Sequence, residues 1–258
     1  MSSLSKVREY SIQHPLSAFH ITIISLSWVL LTALFLMHLP PEPGIIVLTL
    51  FCFIGTTSLI TYWQKGRTGV KKLFSETFKF RVHLGFYVLA LLALPALTVF
   101  VSLILGSFSI SQQDWPSVLF KYVVSTFSGF FIINIWEETA WTGFVQSRLM
   151  SRNGVLKGSL LSSIGFVGMH IPLYFNHPTI MEFIGSLMVL ILVGLVFRYL
   201  LGMMYLDSGK SVFIVGLTHA SFNNAHLGHK EMLPASIIAT VIITLVYGLY
   251  RMRKLHAL

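Results

Sequence analysis

Residues 129–144 read GFFIINIWEETAWTGF, and Glu137-Glu138 at its centre breaks an apolar run otherwise long enough to cross a bilayer. A carboxylate at the middle of a membrane helix costs about 2.5–3.5 kcal/mol even on lenient insertion scales, so two in succession need a purpose. The rest of the chain sets the context. Of 258 residues, 55% are hydrophobic and only 10% are charged, and the mean hydropathy is +0.78. That composition specifies an all-α, polytopic membrane protein.

Eight stretches have the length and character of membrane helices: 16–38, 43–64, 82–107, 117–150, 157–176, 181–205, 210–227 and 232–251. The fourth is longer than a span requires and should tilt or project. The first apolar run, from about His20 to Leu39, has no short core followed by a small-residue cleavage site, and is expected to stay as an anchor. Connectors rich in Pro, Gly and Asn separate the stretches, and none could hold a soluble domain. The chain divides into three parts: residues 1–115 with helices 1–3, a core of helices 4–7 over 116–230, and a last helix with a basic tail over 231–258. With eight spans and the amino terminus inside, sixteen of the 18 Lys and Arg fall on one side, Arg198 among them. Only Lys121 and Lys230 fall on the other, so both termini are expected in the cytoplasm. The net charge of +9 is then a topology signal and a rim for anionic lipid headgroups, with no extramembrane domain to carry nucleic acid. Cys52 is the lone cysteine, which excludes an internal disulfide and a clustered thiolate metal site.

Of the nine acidic residues, only Glu137 and Glu138 lie deep in an apolar stretch, and of the ten histidines only His170 and His219 do. At 1.5 Å per residue, Glu137 lies roughly 20 Å from Met150, His170 roughly 18 Å from Gly158 and His219 roughly 12 Å from Ser211. Three helices can therefore bring these groups to a similar level. His219 and Asn223 are four residues apart and share a helical face, as do Asn134 and Glu138, whereas Glu137 points about 100° away from Glu138. The adjacent glutamates cannot share one role.

The order Glu137-Glu138-Thr139-Ala140-Trp141-Thr142-Gly143-Phe144, Phe166-Val167-Gly168-Met169-His170, and His219-Ala220-Ser221-Phe222-Asn223 resembles the three motifs of the CPBP intramembrane proteases, also called Abi. That family includes type II CAAX prenyl endopeptidases and proteins of bacteriocin processing and self-immunity. The resemblance covers about Lys121 to Gly228. It departs from the family pattern EExxxR at Thr142, which stands where the arginine would be. Glu138 is therefore expected either to be neutral through desolvation or to be hydrogen-bonded to Thr142, Asn134 or another helix.

The resemblance implies an intramembrane endopeptidase. Glu137 would act as general base on a water, His170 would position that water, and His219 with Asn223 would donate to the oxyanion, with Glu138 in a supporting role. No cofactor is firmly implied. Zinc is the alternative, with Glu137, His170 and His219 as ligands, although the chain lacks an HExxH pair. The expected partners are the lipid bilayer and a membrane-associated peptide or protein substrate, in a prokaryotic plasma membrane, for peptide maturation, protein sorting or bacteriocin immunity. A rival from another class is a non-enzymatic transporter or immunity protein whose polar cluster binds protons or a peptide. The duller reading of His219 and Asn223 is polar contact between helices, and Gly143, Gly165 and Gly168 would allow close helix approach. Pro172 is expected to end or kink the fifth helix just beyond His170.

Overall fold

The computed structural model describes residues 3–256, and every regular element among them is helical. A chain surrounded by hydrocarbon must satisfy its backbone internally, which helices do segment by segment. After a short helix α1 (Ser3–Gln13) come α2 (Pro15–Leu36), α3 (Glu42–Thr77), α4 (Leu84–Ile104), α5 (Trp115–Asn153), α6 (Val155–His170), α7 (Ile180–Asp207), α8 (Val212–Asn223) and α9 (Leu233–His256). Large apolar side chains such as Val29, Phe51, Leu92, Ile164 and Met188 are exposed on the outer faces, as a lipid-facing surface requires.

Six of these units are long and apolar enough to cross a membrane. The other two stretches expected to span are shorter. At 16 and 12 residues, α6 and α8 reach about 24 and 18 Å, short of a hydrocarbon core of about 30 Å. In the 157–176 stretch the α-helix ends at His170, and a 3-10 turn over Ile171–Tyr174 containing Pro172 takes over. A proline cannot continue the hydrogen-bond ladder, so the helix stops where that sequence predicts. The 210–227 stretch stops at Asn223. Both short helices carry their histidine near the carboxy-terminal end, so the site is built where helices too short to span come to a stop.

α5 runs the other way, to 39 residues. It is not uniformly α-helical: Phe130–Asn134 and Thr139–Gln146 are π-helical, with four α-helical residues, Ile135–Glu138, between them. α3 breaks at Gly66, whose φ of 62° is a left-handed value that glycine adopts without penalty, and its last eleven residues leave in a new direction.

Two apolar clusters flank the glutamates. One joins α4, α7 and α8 with Phe130 and Ile135 of α5, and the other joins α2 and α3 with Trp141, Phe144 and Phe166. Close approach of α8 to α5 depends on Gly216, where a Cβ would lie 3.0 Å from the Ile135 Cα. Likewise α6 meets α2 at Gly165, where a Cβ would overlap the His20 ring. Small residues at membrane helix interfaces bring backbones together in this way.

Candidate active site

A π turn closes each hydrogen-bonded ring over one more residue than an α turn, so it rotates the residues beyond it about the helix axis. Flanked by two such segments, Glu137 and Glu138 face different surroundings. Both are buried.

Glu138 is fully buried and both of its oxygens are occupied. Arg198 Nη1 donates to Oε1 at 2.9 Å and to Oε2 at 2.8 Å. The Thr142 hydroxyl donates to Oε2 in a short hydrogen bond, and His219 Nδ1 lies 2.8 Å from Oε1. Because a carboxylate paired with a guanidinium only accepts, His219 Nδ1 carries the proton in this contact. Arg198 itself is 0% exposed. Its Nη2 donates to Thr142 Oγ1 at 2.9 Å and to Gln146 Oε1 at 2.5 Å, and the guanidinium lies 5.1 Å over the Phe166 ring. Gln146 completes the cluster by donating to Ser159 Oγ at 2.8 Å and to the Arg198 carbonyl at 2.7 Å, which ties α5, α6 and α7 together.

Arg198 corrects one expectation and decides between two alternatives for another. It does not belong to the basic rim of the membrane but sits within α7, about 13 Å from Asp207. Glu138 is accordingly not a desolvated neutral acid: a buried cation balances it, with the expected Thr142 hydrogen bond beside the pair. The signal was present in the sequence, since Arg198 is the sole charged residue between Glu182 and Asp207. A charge in the middle of an apolar helix asks for a buried partner.

Glu137 faces a cavity of about 230 Å³ shared with His170, His219 and Asn223. His170 Nδ1 lies 2.7 Å from the Phe166 carbonyl, which only accepts, so the ring donates there while its Nε2 looks toward Glu137 Oε1 at 3.7 Å. His219 Nδ1 stands 3.8 Å from Glu137 Oε2. Neither distance is a hydrogen bond; the gap between Glu137 and His170 is short enough for one water to reach both with bonds of about 2.8 Å, whereas the His219 Nδ1 proton is already taken by Glu138. Asn223, on the last turn of α8, is exposed at the cavity wall. The start of α8 is fixed by Ser211, whose hydroxyl accepts from the Ile214 N–H at 3.2 Å.

The cavity also has members that sequence reasoning assigned no part in it. Asn134 is 2% exposed, and its Nδ2 has no partner among the described residues although it lines the cavity. A buried amide with an unused donor is costly to keep unless something else accepts from it. The first helices, which carry no motif, supply much of the wall through Ser27, Leu31, Leu48 and Phe53.

The residues named for zinc do not form a ligand set. Among the described residues no group of three His, Cys, Asp or Glu is arranged to hold a metal ion. His219 Nδ1, the nitrogen nearest Glu137, is already donating to Glu138.

With the geometry in place, the match to known proteins acquires a physical basis. Residues 119–225 match the family model described as type II CAAX prenyl endopeptidase Rce1-like. Over this segment the chain is similar to that family. The matched segment contains Glu137, Glu138, His170, Arg198, His219 and Asn223, and it agrees with the CPBP resemblance read from the motifs. No curated protein matches the chain. The Rce1-like segment and its setting among apolar helices support an integral membrane endopeptidase of the CAAX-protease-like kind, acting on a membrane-associated protein substrate.

Proposed function

We propose that the protein hydrolyses a peptide bond within the membrane by a water that Glu137 activates. The observation that carries this reading is the convergence of Glu137, His170, His219 and Asn223 on one cavity. A water between Glu137 and His170 Nε2 donates one proton to each and presents its lone pair to a substrate carbonyl. Glu137 takes a proton as the oxygen–carbon bond forms. Asn223 Nδ2 and the outward N–H of a doubly protonated His219 then donate to the oxyanion, the type of stabilisation worth about 3–4 kcal/mol per donor elsewhere. Collapse of the tetrahedral intermediate breaks the carbon–nitrogen bond, and Glu137 returns the proton to the leaving amine.

Charge balance supports this arrangement. Two carboxylates, Glu137 and Glu138, face one guanidinium, Arg198, and a His219 imidazolium makes the cluster neutral. Glu138 is a positioning residue in this scheme: it orients the His219 ring and touches no substrate. The apolar wall of Leu31, Leu48, Phe53 and Leu173 favours a substrate whose residues near the scissile bond are uncharged. Peptide maturation, sorting of anchored proteins or bacteriocin immunity in a prokaryotic plasma membrane fit that chemistry, as does CAAX-type removal of the short peptide that follows a lipid-modified residue.

Glu137→Gln tests the reading. The amide has nearly the shape of the acid but cannot take a proton, so cleavage of a candidate substrate by purified protein should fall at least about 100-fold with the fold intact. Undiminished cleavage by Glu137→Gln would remove Glu137 from catalysis. Ion flux that depends on Glu137 and Glu138 would favour the transporter reading instead.

A further inference from the structure

A second cavity, of about 260 Å³, lies on the far side of the Glu138 cluster along α5. Four cations line it: Lys65 and Lys72 from α3, Arg148 from α5, and Lys210 from the turn between α7 and α8. Its one carboxylate, Glu76, already accepts from the Tyr205 hydroxyl at 2.7 Å. None of the four cations forms an ion pair with a carboxylate among the described residues.

Three features give shape to this recess, whose three lysines are exposed. Arg148 is half-buried and held on two sides, donating from Nη1 to the Phe144 carbonyl at 2.8 Å with its guanidinium 3.8 Å above the Phe144 ring. That carbonyl is its one hydrogen-bond acceptor among the described residues, so the rest of the guanidinium fork is available to a ligand. Lys210 has φ of 68°, a left-handed value that costs a non-glycine residue energy, and its N–H bonds back to the Tyr205 carbonyl at 2.7 Å. The break in α3 at Gly66 separates Lys65 from Lys72, so the two come from differently directed segments to one cavity.

We infer that this cavity binds a phosphate group, with Arg148 as the planar anchor and Lys65, Lys72 and Lys210 as point charges around it. Four cations against one carboxylate leave the recess with excess positive charge until an anion enters, and tetrahedral phosphate accepts from several donors at once. The phosphate belongs to an anionic lipid headgroup or to a soluble phosphate; the cationic chemistry is the same for both. The recess and the cavity at Glu137 share no lining residue, so the site is distinct from substrate cleavage.

The test needs no substrate. Full-length protein is placed in nanodiscs of phosphatidylcholine alone, of phosphatidylcholine with phosphatidylglycerol, and of phosphatidylcholine with inorganic phosphate added, and thermal unfolding is followed. A ligand that binds only the folded state raises Tm. Wild type and Lys71→Gln, which removes a charge outside the cavity, should be stabilised by at least one probe. In Lys72→Gln/Lys210→Gln that shift should be lost, with apparent affinity at least tenfold weaker. Stabilisation by phosphatidylglycerol alone identifies a lipid headgroup, and equal stabilisation by inorganic phosphate identifies a soluble one. A wild-type protein that neither probe stabilises, or a shift kept in full by the double variant, overturns the proposal. Each variant is compared with its own Tm in phosphatidylcholine alone, so a loss of intrinsic stability does not imitate a loss of binding.

Discussion

Glu137 and Glu138 are neighbours in the chain and opposites in their surroundings. Around Glu138 both carboxylate oxygens are engaged, and Arg198, Thr142, Gln146 and His219 close on one another with contacts of 2.9 Å or less. Around Glu137 the nearest polar groups stand 3.7 and 3.8 Å away, Asn134 has a free donor, and a cavity separates the parts. A dense hydrogen-bond network in a low-dielectric interior rigidifies what it touches, whereas groups meant to meet a water and a substrate must keep capacity in reserve. The difference teaches that one glutamate holds the site and the other is left free to react.

The contrast breaks most decisively at Arg198. Arg198→Leu leaves Glu138 buried without its cation, and losing one partner of a buried pair costs about 3–5 kcal/mol. Unfolding in a denaturant series should show that loss, and cleavage should fall with it because His219 loses its orientation. Placing the cation back from the other helix sharpens the point. Thr142 Oγ1 touches both Glu138 and Arg198 Nη2, so an arginine at 142 starts beside the space that Arg198→Leu vacates. Thr142→Arg in the Arg198→Leu background should recover a measurable part of both stability and activity. A double variant no better than Arg198→Leu would show that the guanidinium must come from α7.

Asn134 belongs to the reactive side, and its removal should separate activity from stability. Its Nδ2 has no partner to lose in the folded protein, so Asn134→Ala should change stability little. If that donor meets substrate, kcat should drop about 100-fold with KM nearly unchanged, as for one oxyanion donor elsewhere. A fall in stability with kcat unaltered would assign Asn134 to packing.

The legibility of the chain divides along the same line. Helical class and membrane setting were legible because apolar length is a one-dimensional property, and Pro172 marked where α6 stops. Glu137, His170 and His219 stood out as candidates because acids and histidines in apolar helices stand out singly, whereas the wall that the first helices supply did not. The pairing of Glu138 was not: the missing cation at Thr142 is supplied 56 residues later from another helix, and no local spacing encodes that contact. Arg198 looked like part of the basic rim because charge counting records only the end of a helix to which a residue is nearer. The shortness of α6 and α8 was hidden for a related reason, since apolar connectors such as Ile171–Tyr174 extend an apparent span without extending the α-helix.

Thr142→Val is the smallest and most discriminating change within the Glu138 network. Valine keeps the branched shape and deletes the hydroxyl, which accepts from Arg198 Nη2 and donates to Glu138 Oε2. The main pair survives it: Arg198 Nη1 still reaches both Glu138 oxygens, and Nη2 still reaches Gln146 Oε1 at 2.5 Å. The net cost of a hydrogen bond is about 0.5–1.5 kcal/mol, rising toward 3 when a partner is charged, so a loss of about 1–2 kcal/mol is expected. Thr142→Ser, which keeps the hydroxyl, should lose less, and the two together isolate the hydrogen bond from the methyl group. Cleavage should be nearly unchanged in both, because His219 is held by Glu138 and not by Thr142. A large loss of kcat in Thr142→Val with Thr142→Ser active would mean that the hydroxyl sets the Glu138 rotamer, and the division between a holding glutamate and a reacting one would then have to include Thr142 on the reacting side.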